Sequence, residues 1–312
     1  MPRLIAGRLL QAALTLVLLS FAAYVLIGLM PGDPIDLAIA GDPRLSAEDA
    51  ARLRALHGLD RSLVERYLAW ASRIIAGDPG FSRLYARPVA EVIAPALISS
   101  LRLLGAALLL AATFGIGLGL AAALRPGGLR DAVLNTLAFA GAAMPTFWLG
   151  ILLVALFAVG LGWLPAGGEG EGFSGRLRHL VLPAATLAFA NMAHYLRQTR
   201  AAMIAALAEP HIRTARAKGA GRAAIVLRHA APNAAVPVLT IASLDAASLV
   251  SGALVTEAVF ARPGMGKTIY DAILGNDYNL ALLCLLLSAA VALAASLAAD
   301  LVQRAIDPRL AA

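Results

Sequence analysis

Residues 97–124 read LISSLRLLGAALLLAATFGIGLGLAAAL, an apolar run that contains a single charged side chain, Arg102. A helix needs about 20 apolar residues to cross the hydrocarbon core of a bilayer, and this run is long enough. Five more stretches of the chain meet the same criterion. The sequence therefore predicts an all-α, polytopic membrane protein with about six transmembrane helices. The other five predicted spans are Leu9–Met30, Ala132–Leu161, Leu180–Ala206, Val236–Phe260 and Leu280–Val302.

The composition of the whole chain agrees with lipid as its solvent. Hydrophobic residues make up 60% of the 312 residues and charged residues 14%, whereas a soluble domain carries about 25% charged residues. Cys284 is the single cysteine, so an internal disulfide and a multi-cysteine metal site are excluded. The five histidines are scattered over both predicted sides and the membrane, so no metal site is expected.

The Lys and Arg residues are distributed unequally over the two sides of the predicted membrane. With the amino terminus inside, thirteen of them fall on the inner side and four in the short outer loops. Short cytoplasmic loops of membrane proteins carry such an excess. The net charge of +7 is therefore a topology signal and no sign of nucleic acid binding. We expect a multi-pass protein of the bacterial inner membrane with both termini in the cytoplasm.

This topology predicts a single transmembrane domain with one long outer segment. Residues 1–30 hold the first helix, a retained anchor, residues 31–96 form a periplasmic insertion, and residues 97–312 form a five-helix core. In the insertion, two capping-box patterns predict short helices, the first over Ala47–His57 and the second from Ser62 to a stop near Gly77. Capping of the membrane bundle and contact with a partner are both open roles for them. The second helix has an apolar stripe made of Leu63, Tyr67, Trp70 and Ile74.

The inner loop 209–233 is polar, basic and too short to span a membrane. Pro210 suits the first turn of a helix that runs to Lys218 and is broken by Gly219. A second short helix is predicted from Arg222 to Ala231, ending at Pro232. The small residues Ala215, Ala217 and Gly219 allow close approach to another surface, and Arg213, Arg216, Lys218 and Arg222 offer charge to it. The residues alone leave two interpretations open, docking to an acidic partner and contact with anionic headgroups.

The segment Arg213–Gly219, which reads RTARAKG, resembles the coupling loop of binding-protein-dependent ABC permeases. Further motifs, spread over nearly the whole chain, are similar to the first, long-loop permease of the dipeptide/oligopeptide/nickel subclass. They are Arg228-His229-Ala230, Asn233-Ala234, Pro31-Gly32-Asp33-Pro34, His57-Gly58-Leu59-Asp60, Arg66-Tyr67, Pro145-Thr146-Phe147-Trp148-Leu149-Gly150, Gly162-Trp163-Leu164-Pro165, Val259-Phe260, Pro263-Gly264-Met265-Gly266, Asp271-Ala272-Ile273, Asp277-Tyr278 and Asp307-Pro308-Arg309.

The resemblance implies a type I ABC importer permease fold and a set of partners. These are a second homologous permease, two ATPase subunits and a periplasmic substrate-binding protein. The chain itself is expected to be non-catalytic and to bind no cofactor, with ATP and Mg on the partner ATPases. By position, the ATPase-coupling residues are Pro210, His211, Arg213, Thr214, Ala215, Arg216, Lys218 and Gly219.

The chain departs from the wider family at two positions of this loop. Where that family has Glu-Ala-Ala, this chain has Arg213-Thr214-Ala215, as is usual for the subclass. His211 stands where an aromatic residue is typical. At the other side of the membrane, the resemblance implies an outer gate or binding-protein contact made by Glu257, Pro263, Gly264 and Gly266.

Two polar stripes inside predicted spans suggest a translocation pathway. Asn191, His194 and Gln198 lie on one face of the fourth span, and Asp245 and Ser248 belong to a stripe on the fifth. A charged side chain near the bilayer centre costs roughly 2.5–3.5 kcal/mol on insertion scales, so such residues usually face protein or water. We expect both stripes to line the pathway, with Asp245 attracting a cationic group of the substrate. Interhelical hydrogen bonding is the alternative.

The predicted function is that of a permease subunit in an ATP-driven importer of small peptides or related solutes. A secondary transporter that relays protons through Asp245 and His194 is an alternative, and so is a nickel or metal-chelate importer. Secondary transporters more often show broken helices in two repeated halves, and no such repeat is visible in this sequence. The choice among dipeptides, oligopeptides, glutathione-like molecules and nickel chelates stays open.

Overall fold

The computed structural model describes residues 2–29 and 61–306 of the chain. Within those ranges, the side chains of residues 2–4, 243, 244, 246–252 and 306 are outside the description. Several sequence-based expectations therefore lie outside the described residues. They are the turn Pro31–Pro34, the first insertion helix Ala47–His57, the motif His57–Asp60 and the terminal Asp307–Arg309.

Helices form nearly all of the described structure, as predicted. Two strands of two residues each, β1 (Phe81–Ser82) and β2 (Arg87–Pro88), pair antiparallel. π-helical turns at Val154–Gly160 and Ile225–Ala230 follow α5 and α8. The helices are α1 (Pro2–Gly28), α2 (Leu63–Ile75), α3 (Val89–Ala123), α4 (Leu129–Ala143), α5 (Thr146–Leu153), α6 (Gly172–Ala208), α7 (Pro210–Ala217), α8 (Arg222–Ala224), α9 (Ala231–Val259), α10 (Met265–Leu274) and α11 (Tyr278–Ile306).

In the described part of the chain, four helical segments are long and apolar enough to cross a membrane. They are Ile5–Gly28, Val89–Ala123, Arg222–Ala242 and Tyr278–Ala305. The first of them exposes large aliphatic side chains over much of its length, for example Leu10 with 72% of its surface accessible. Such a surface is costly in water and favourable in lipid. These segments confirm the prediction of a polytopic membrane protein.

The third predicted span, Ala132–Leu161, is a bent pair of helices in the structure. α4 and the helix formed by α5 with its π-turn meet at 106°, and together they make a fifth candidate span. The bend lies at Pro145, which lacks a backbone N–H and forces Met144 out of the helical region, to φ −85° and ψ 129°. The sequence analysis treated this stretch as one span and missed the break.

The fourth predicted span, Leu180–Ala206, lies inside the 37-residue helix α6. This helix is long enough to cross a bilayer but is not apolar enough to be recognised by composition alone. Its charged residues include Arg197 and Arg200, and Arg200 pairs with an aspartate of α4. A helix of this kind is tolerated in a membrane because its polar groups find partners in protein.

The described residues divide into two compact units. The first comprises Met1–Ala96 and Thr268–Ala290, and the second comprises Leu97–Lys267 and Val291–Ala312. In the first unit, Ser62 and Glu65 form the predicted capping box, because each side chain accepts a hydrogen bond from the other's backbone N–H. The apolar stripe of α2 packs inward against Ala23, Tyr24 and Leu282. The predicted second insertion helix and its buried face are therefore confirmed.

The second unit contains the residues predicted to carry function. Its most extensive packing joins α6 to α9 and α6 to α4. One cluster of buried side chains lies where α3 and α6 end and α7 begins, and it includes Ala123, Met203, Ile212, Ile225 and Ala230. Gly115 and Gly119 of α3 lie so close to the backbone of α6 that a Cβ at either position would overlap it. Small residues therefore set the distance between these two helices.

Candidate functional site

The short helix α7 forms where the sequence predicted it. Glu209 has extended backbone angles and precedes Pro210, whose missing N–H costs nothing in a first helical turn. The helix ends at Ala217, and Gly219 follows with a φ of +82°, a conformation that favours glycine. The predicted start and the predicted break of this helix are both confirmed.

The two faces of α7 differ sharply. Ile212 is fully buried and Ala215 is 8% exposed, and both face the chain's own helices. The remaining predicted coupling residues are exposed. Ala215 is therefore not part of the free face, although the sequence analysis grouped it with the residues that approach a partner. The exposed residues are Pro210, His211, Arg213, Thr214, Arg216, Lys218 and Gly219.

His211 connects α7 to the segment that follows it. Its Nε2 lies 3.4 Å from the carbonyl oxygen of His229 and 3.3 Å from the Nδ2 of Asn233. Asn233 also donates a hydrogen bond of 3.1 Å to the same carbonyl oxygen. These contacts fasten the exposed edge of α7 to the start of α9, so His211 has a partner within its own chain.

A cavity of about 390 Å³ lies beside α7. Two guanidinium groups, those of Arg216 and Arg222, line it together with aliphatic side chains. Arg222 also donates a hydrogen bond of 3.1 Å to the carbonyl oxygen of Leu124, just after the end of α3. The predicted coupling residue Arg216 and a further cation of the inner loop, Arg222, therefore lie at a groove of the bundle. The aliphatic lining residues are Leu124, Leu207, Ile225 and Val226.

The chain that leaves α7 does not form a second short helix. α8, the π-turn Ile225–Ala230 and α9 follow one another without a break, so a helical rod runs from Arg222 to Val259. The predicted end at Pro232 is wrong because proline is tolerated in the first positions of α9, directly after the wider turn. The backbone N–H of Ala231 bonds to the carbonyl of Val226, five residues back.

The polar stripes of the two predicted spans meet in the second unit. The Nδ1 of His194 on α6 lies 3.5 Å from the Oδ1 of Asp245 on α9. Asp245 is 8% exposed, whereas His194 is exposed. The structure thus brings together the histidine and the carboxylate that sequence reasoning placed on separate stripes.

The other pathway candidates are Asn191, Gln198 and Ser248. Asn191 donates its side-chain amide to the carbonyl of Leu187 in its own helix, at 2.8 Å. Gln198 is partly buried on α6, and the side chain of Ser248 lies outside the described residues. Tyr195, which the sequence analysis did not select, is fully buried between α3, α6 and α9. Lining of a pathway by these residues remains a prediction.

The predicted outer gate is a closed turn in the described structure. Glu257 is fully buried and accepts hydrogen bonds from the hydroxyl of Ser100 and from the backbone N–H of Gly266, the latter at 2.7 Å. The Ser100 hydroxyl in turn accepts from the N–H of Met265. Gly264 lies against the Glu257 carboxylate so closely that a Cβ would overlap it. In this arrangement Glu257 holds the turn and presents no surface to a partner.

Arg262 adds a buried cation to the same turn. It is 2% exposed, its backbone N–H bonds to the carbonyl of Glu257, and its Nη2 lies 3.8 Å from the Oε1 of Glu169. Burial lowers the pKa of its guanidinium, and Glu169 opposes that change. The Nη1 of Arg102 lies 3.8 Å from the same Glu169 oxygen. The Glu169 carboxylate therefore lies near two cations, and this group of charges was not selected from the sequence.

An ion pair with the shortest contact among the described residues of the second unit was also missed. Asp131, 4% exposed at the start of α4, receives two hydrogen bonds of 2.6 Å from the Nε and Nη2 of Arg200 on α6. The N–H of Gly127 and the amide of Asn135 donate to the same carboxylate. In sequence, Arg200 was only one of thirteen inner cations, and nothing local indicated a partner 69 positions away.

Metal binding finds no support in the described residues, where no group of three or more His, Cys, Asp or Glu side chains is arranged to hold an ion. The expected absence of a metal site remains a prediction for the whole chain.

The fold and the exposed, cationic α7 define a class of protein, the multi-pass membrane component of a transport system. Comparison with known proteins gives the family. Residues 115–312 match the family described as the binding-protein-dependent transport system inner membrane component, and residues 1–97 match the amino-terminal part of such components. The chain belongs to this family.

Curated relatives match over almost their whole length. The di/tripeptide transport system permease of Pseudomonas aeruginosa is 36% identical, over 97% of this chain and 96% of its own. The oligopeptide transport system permease of Bacillus subtilis is 34% identical over 99% of both chains. The glutathione transport system permease of Salmonella typhimurium is 35% identical over 97% of both.

Solved structures show the same fold at lower identity. The MetNI methionine ABC transporter, in an inward-facing form, contains a chain that aligns with a TM-score of 0.58 and 18% identity, covering 70% of this chain and 98% of that one. An amino acid ABC transporter aligns with a TM-score of 0.52 and 16% identity, covering 69% and 94%. The expected type I ABC importer permease fold is therefore confirmed.

Proposed function

We propose that this chain is the permease subunit of an ATP-driven importer that moves small peptides or related solutes across the inner membrane. The carrying observation is the geometry of α7. One face of this short helix is fixed in the bundle by Ile212, and the other exposes Arg213, Arg216 and Lys218. A helix anchored on one side and cationic on the other is suited to dock into a cleft of an acidic partner.

The partner at α7 is an ABC ATPase subunit in this proposal. A second homologous permease completes the pathway, a second ATPase subunit docks beneath it, and a periplasmic binding protein delivers the substrate. ATP and Mg bind to the ATPases, and this chain contributes no catalytic group. Membership in a binding-protein-dependent transport family supports this set of partners.

The proposal places α7 in the cytoplasm, together with both termini. The inner-side excess of Lys and Arg supports this orientation. Asp245 then lies about nine residues from the inner end of the fifth predicted span. At 1.5 Å per residue that is roughly 13 Å deep, near the middle of the bilayer.

The helices on both sides of α7 connect it to the proposed pathway. α6 ends at Ala208, two residues before α7, and carries His194. After Gly219 and Gly221, the rod Arg222–Val259 carries Asp245. Movement of α7 with a closing ATPase dimer therefore tilts the two helices whose polar side chains meet at 3.5 Å. Coupling of this kind needs an element with two states that both sites bias, and this helix pair is the proposed element.

Peptides are the favoured substrate class because the closely matching relatives transport di- and tripeptides, oligopeptides or glutathione according to their names. A buried carboxylate at the proposed pathway suits solutes with a cationic amino group. Nickel chelates gain no support from the described residues.

The direct test is the variant Gly219→Trp in the complete importer, reconstituted in vesicles. Space around Gly219 is open, since a Cβ there meets no atom within 4 Å. The indole has space, but the φ of +82° strains any residue that carries a Cβ at this position. It should leave insertion intact and obstruct docking, so that ATP hydrolysis no longer drives uptake. Gly219→Ala is the matched control, because alanine adds the backbone strain without the bulk.

Two outcomes would overturn the proposal. One is wild-type uptake per ATP in the Gly219→Trp variant. The other is uptake that persists after ATP is depleted while the proton gradient is kept, which would indicate a secondary transporter. Labelling of Lys218 from the periplasmic side of intact cells would reject the orientation.

A further inference from the structure

The short connection between α3 and α4, residues 124–128, is held from two sides. On one side, the Asp131 carboxylate accepts two hydrogen bonds of 2.6 Å from Arg200 and one of 2.8 Å from the N–H of Gly127. On the other side, the Nη2 of Arg222 donates to the carbonyl of Leu124 at 3.1 Å. Both arginines belong to helices that flank α7.

The positions of these arginines relate the connection to α7. Arg200 lies eight residues before the end of α6 at Ala208, and α7 begins two residues after that end. Arg222 opens the rod that leaves α7. The connection 124–128 is therefore fastened to the last part of the helix that precedes α7 and to the first residue of the rod that follows it.

The Asp131–Arg200 pair has the geometry of a rigid contact. The guanidinium uses two donors on two oxygens, an arrangement that fixes orientation as well as distance. Asn135 donates to Asp131 Oδ1 at 2.7 Å, so the carboxylate cannot turn without losing a second partner. Side-chain exposure is 5% for Asp131 and 30% for Arg200.

A buried ion pair is weak evidence of stability, because apolar residues of similar volume often stabilise a fold as well or better. Its distinctive property is that it specifies one arrangement of the two helices. In this structure it specifies the register between α6 and α4, and α4 is the first arm of the pair bent by 106°.

We propose that Asp131 and Arg200 are positioning residues that transmit displacement of α7 to α4 and the bent pair. This inference rests on the proposed coupling role of α7. When α7 moves, Arg200 moves with α6 and draws Asp131 with it, and Arg222 draws the end of α3. The bent pair is thereby moved together with the helices that carry His194 and Asp245.

The experiment uses the full importer in vesicles with its binding protein and a mixture of labelled dipeptides as the probe. It measures uptake, ATP hydrolysis and their ratio for Asp131→Asn, Arg200→Gln and Arg200→Lys. We expect the first two to lower uptake per ATP about tenfold, since residues along a coupling route change it by amounts of this order. Arg200→Lys, which keeps the charge and loses the two-donor geometry, should fall in between.

Arg197→Gln is the matched control. It lies on the same helix, makes the same charge change and is exposed, so its ratio should equal that of the wild type. Equal losses of uptake and hydrolysis in the Asp131→Asn variant would indicate a purely structural role and overturn the proposal. If Asp131→Asn does not assemble, an unchanged ratio in Arg200→Lys overturns it.

Gly219→Trp measured in parallel separates the two proposals. Loss of coupling in Gly219→Trp with a wild-type ratio in Asp131→Asn and Arg200→Lys rejects the positioning role alone. Wild-type coupling in Gly219→Trp rejects the role of α7 and this inference with it.

Discussion

Two polar regions of the second unit are built in opposite ways. Around α7, the charges lie at the surface, Gly219 has open space around it, and buried contacts are confined to one face. At the end of α9 and in the turn that follows it, the charges are inside, and Glu257 and Arg262 are 0% and 2% exposed. The first region thus leaves its charges available to another molecule, as the proposed docking requires, whereas the second uses its charges within its own fold.

The glycines of the two regions show the same contrast. Gly219 is required by its backbone, since its φ is +82°. Gly264 and Gly266 are required by their surroundings, because a Cβ would meet the Glu257 carboxylate or the backbone of Leu254. A side chain at position 219 has space but requires a strained backbone. A side chain at position 264 or 266 has an ordinary backbone but overlaps neighbouring atoms.

The largest effect is expected from filling the closed turn with Gly264→Ala. The new methyl group overlaps the buried Glu257 carboxylate, which can move only by losing its hydrogen bonds from Ser100 and Gly266. We therefore expect a loss of about 3 kcal/mol in the free energy of unfolding and little assembled complex. Thermal unfolding of the detergent-solubilised importer and its yield measure this. Gly105→Ala on α3, where a Cβ meets nothing, is the control. A fully stable Gly264→Ala complex would contradict the account of this turn.

A smaller and different effect is expected at the open region from Arg213→Glu. This exposed side chain makes no contribution to the core, so folding should be unchanged while association with the ATPase weakens about tenfold at low salt. Co-purification at several ionic strengths measures it, and the defect should shrink as salt screens the charges. Arg197→Glu, exposed on α6, should leave association unchanged. Equal loss in both variants would show that net charge alone matters.

The variant Asp245→Asn tests whether the carboxylate that contacts His194 takes part in substrate recognition. Removing the charge near His194 should raise the KM for dipeptides with a free amino group several-fold and leave N-acetylated ones unchanged. Uptake by reconstituted vesicles measures both. Thr240→Ala on the same helix is the control, because its hydroxyl bonds to the carbonyl of Val236 and it is not a pathway candidate. Unchanged kinetics for both probes would exclude Asp245 from substrate recognition.

The smallest effect is expected in the first unit, from Ser62→Ala. Loss of this cap should destabilise α2 by about 1 kcal/mol, which speeds hydrogen exchange over residues 63–75 about fivefold. Uptake should not change. Ser72→Ala, whose hydroxyl bonds only to the carbonyl of Ala69 in the same helix, is the control and should leave exchange near wild type.

Local patterns in the sequence were sufficient to predict several of the helices and some of their ends. The capping box at Ser62, the start of α7 at Pro210 and its break at Gly219 each depend on a few adjacent residues, and the structure has all three. The resemblance to a permease family was likewise carried by short motifs. Composition was enough to predict that the chain belongs in a membrane.

Contacts between distant residues could not be predicted. Asp131 and Arg200 are separated by 69 positions, and Ser100 and Glu257 by 157. Each of these side chains has an ordinary alternative role, at a helix end or in a loop, that sequence alone cannot reject. The bend at Pro145 could have been predicted, since proline disfavours a helical conformation at the residue before it. The apolar character of residues 132–161 favoured a single span instead.

The π-helical turn Ile225–Ala230 has a consequence for the direction in which the rod presents its side chains. Each residue of an α-helix advances the azimuth by about 100°, and a wider turn delays that advance for every residue beyond it. The contact of 3.5 Å between Asp245 and His194 lies beyond this turn and therefore depends on the delay. Tightening those six residues into ordinary α-helix would swing the carboxylate round the axis and away from the histidine.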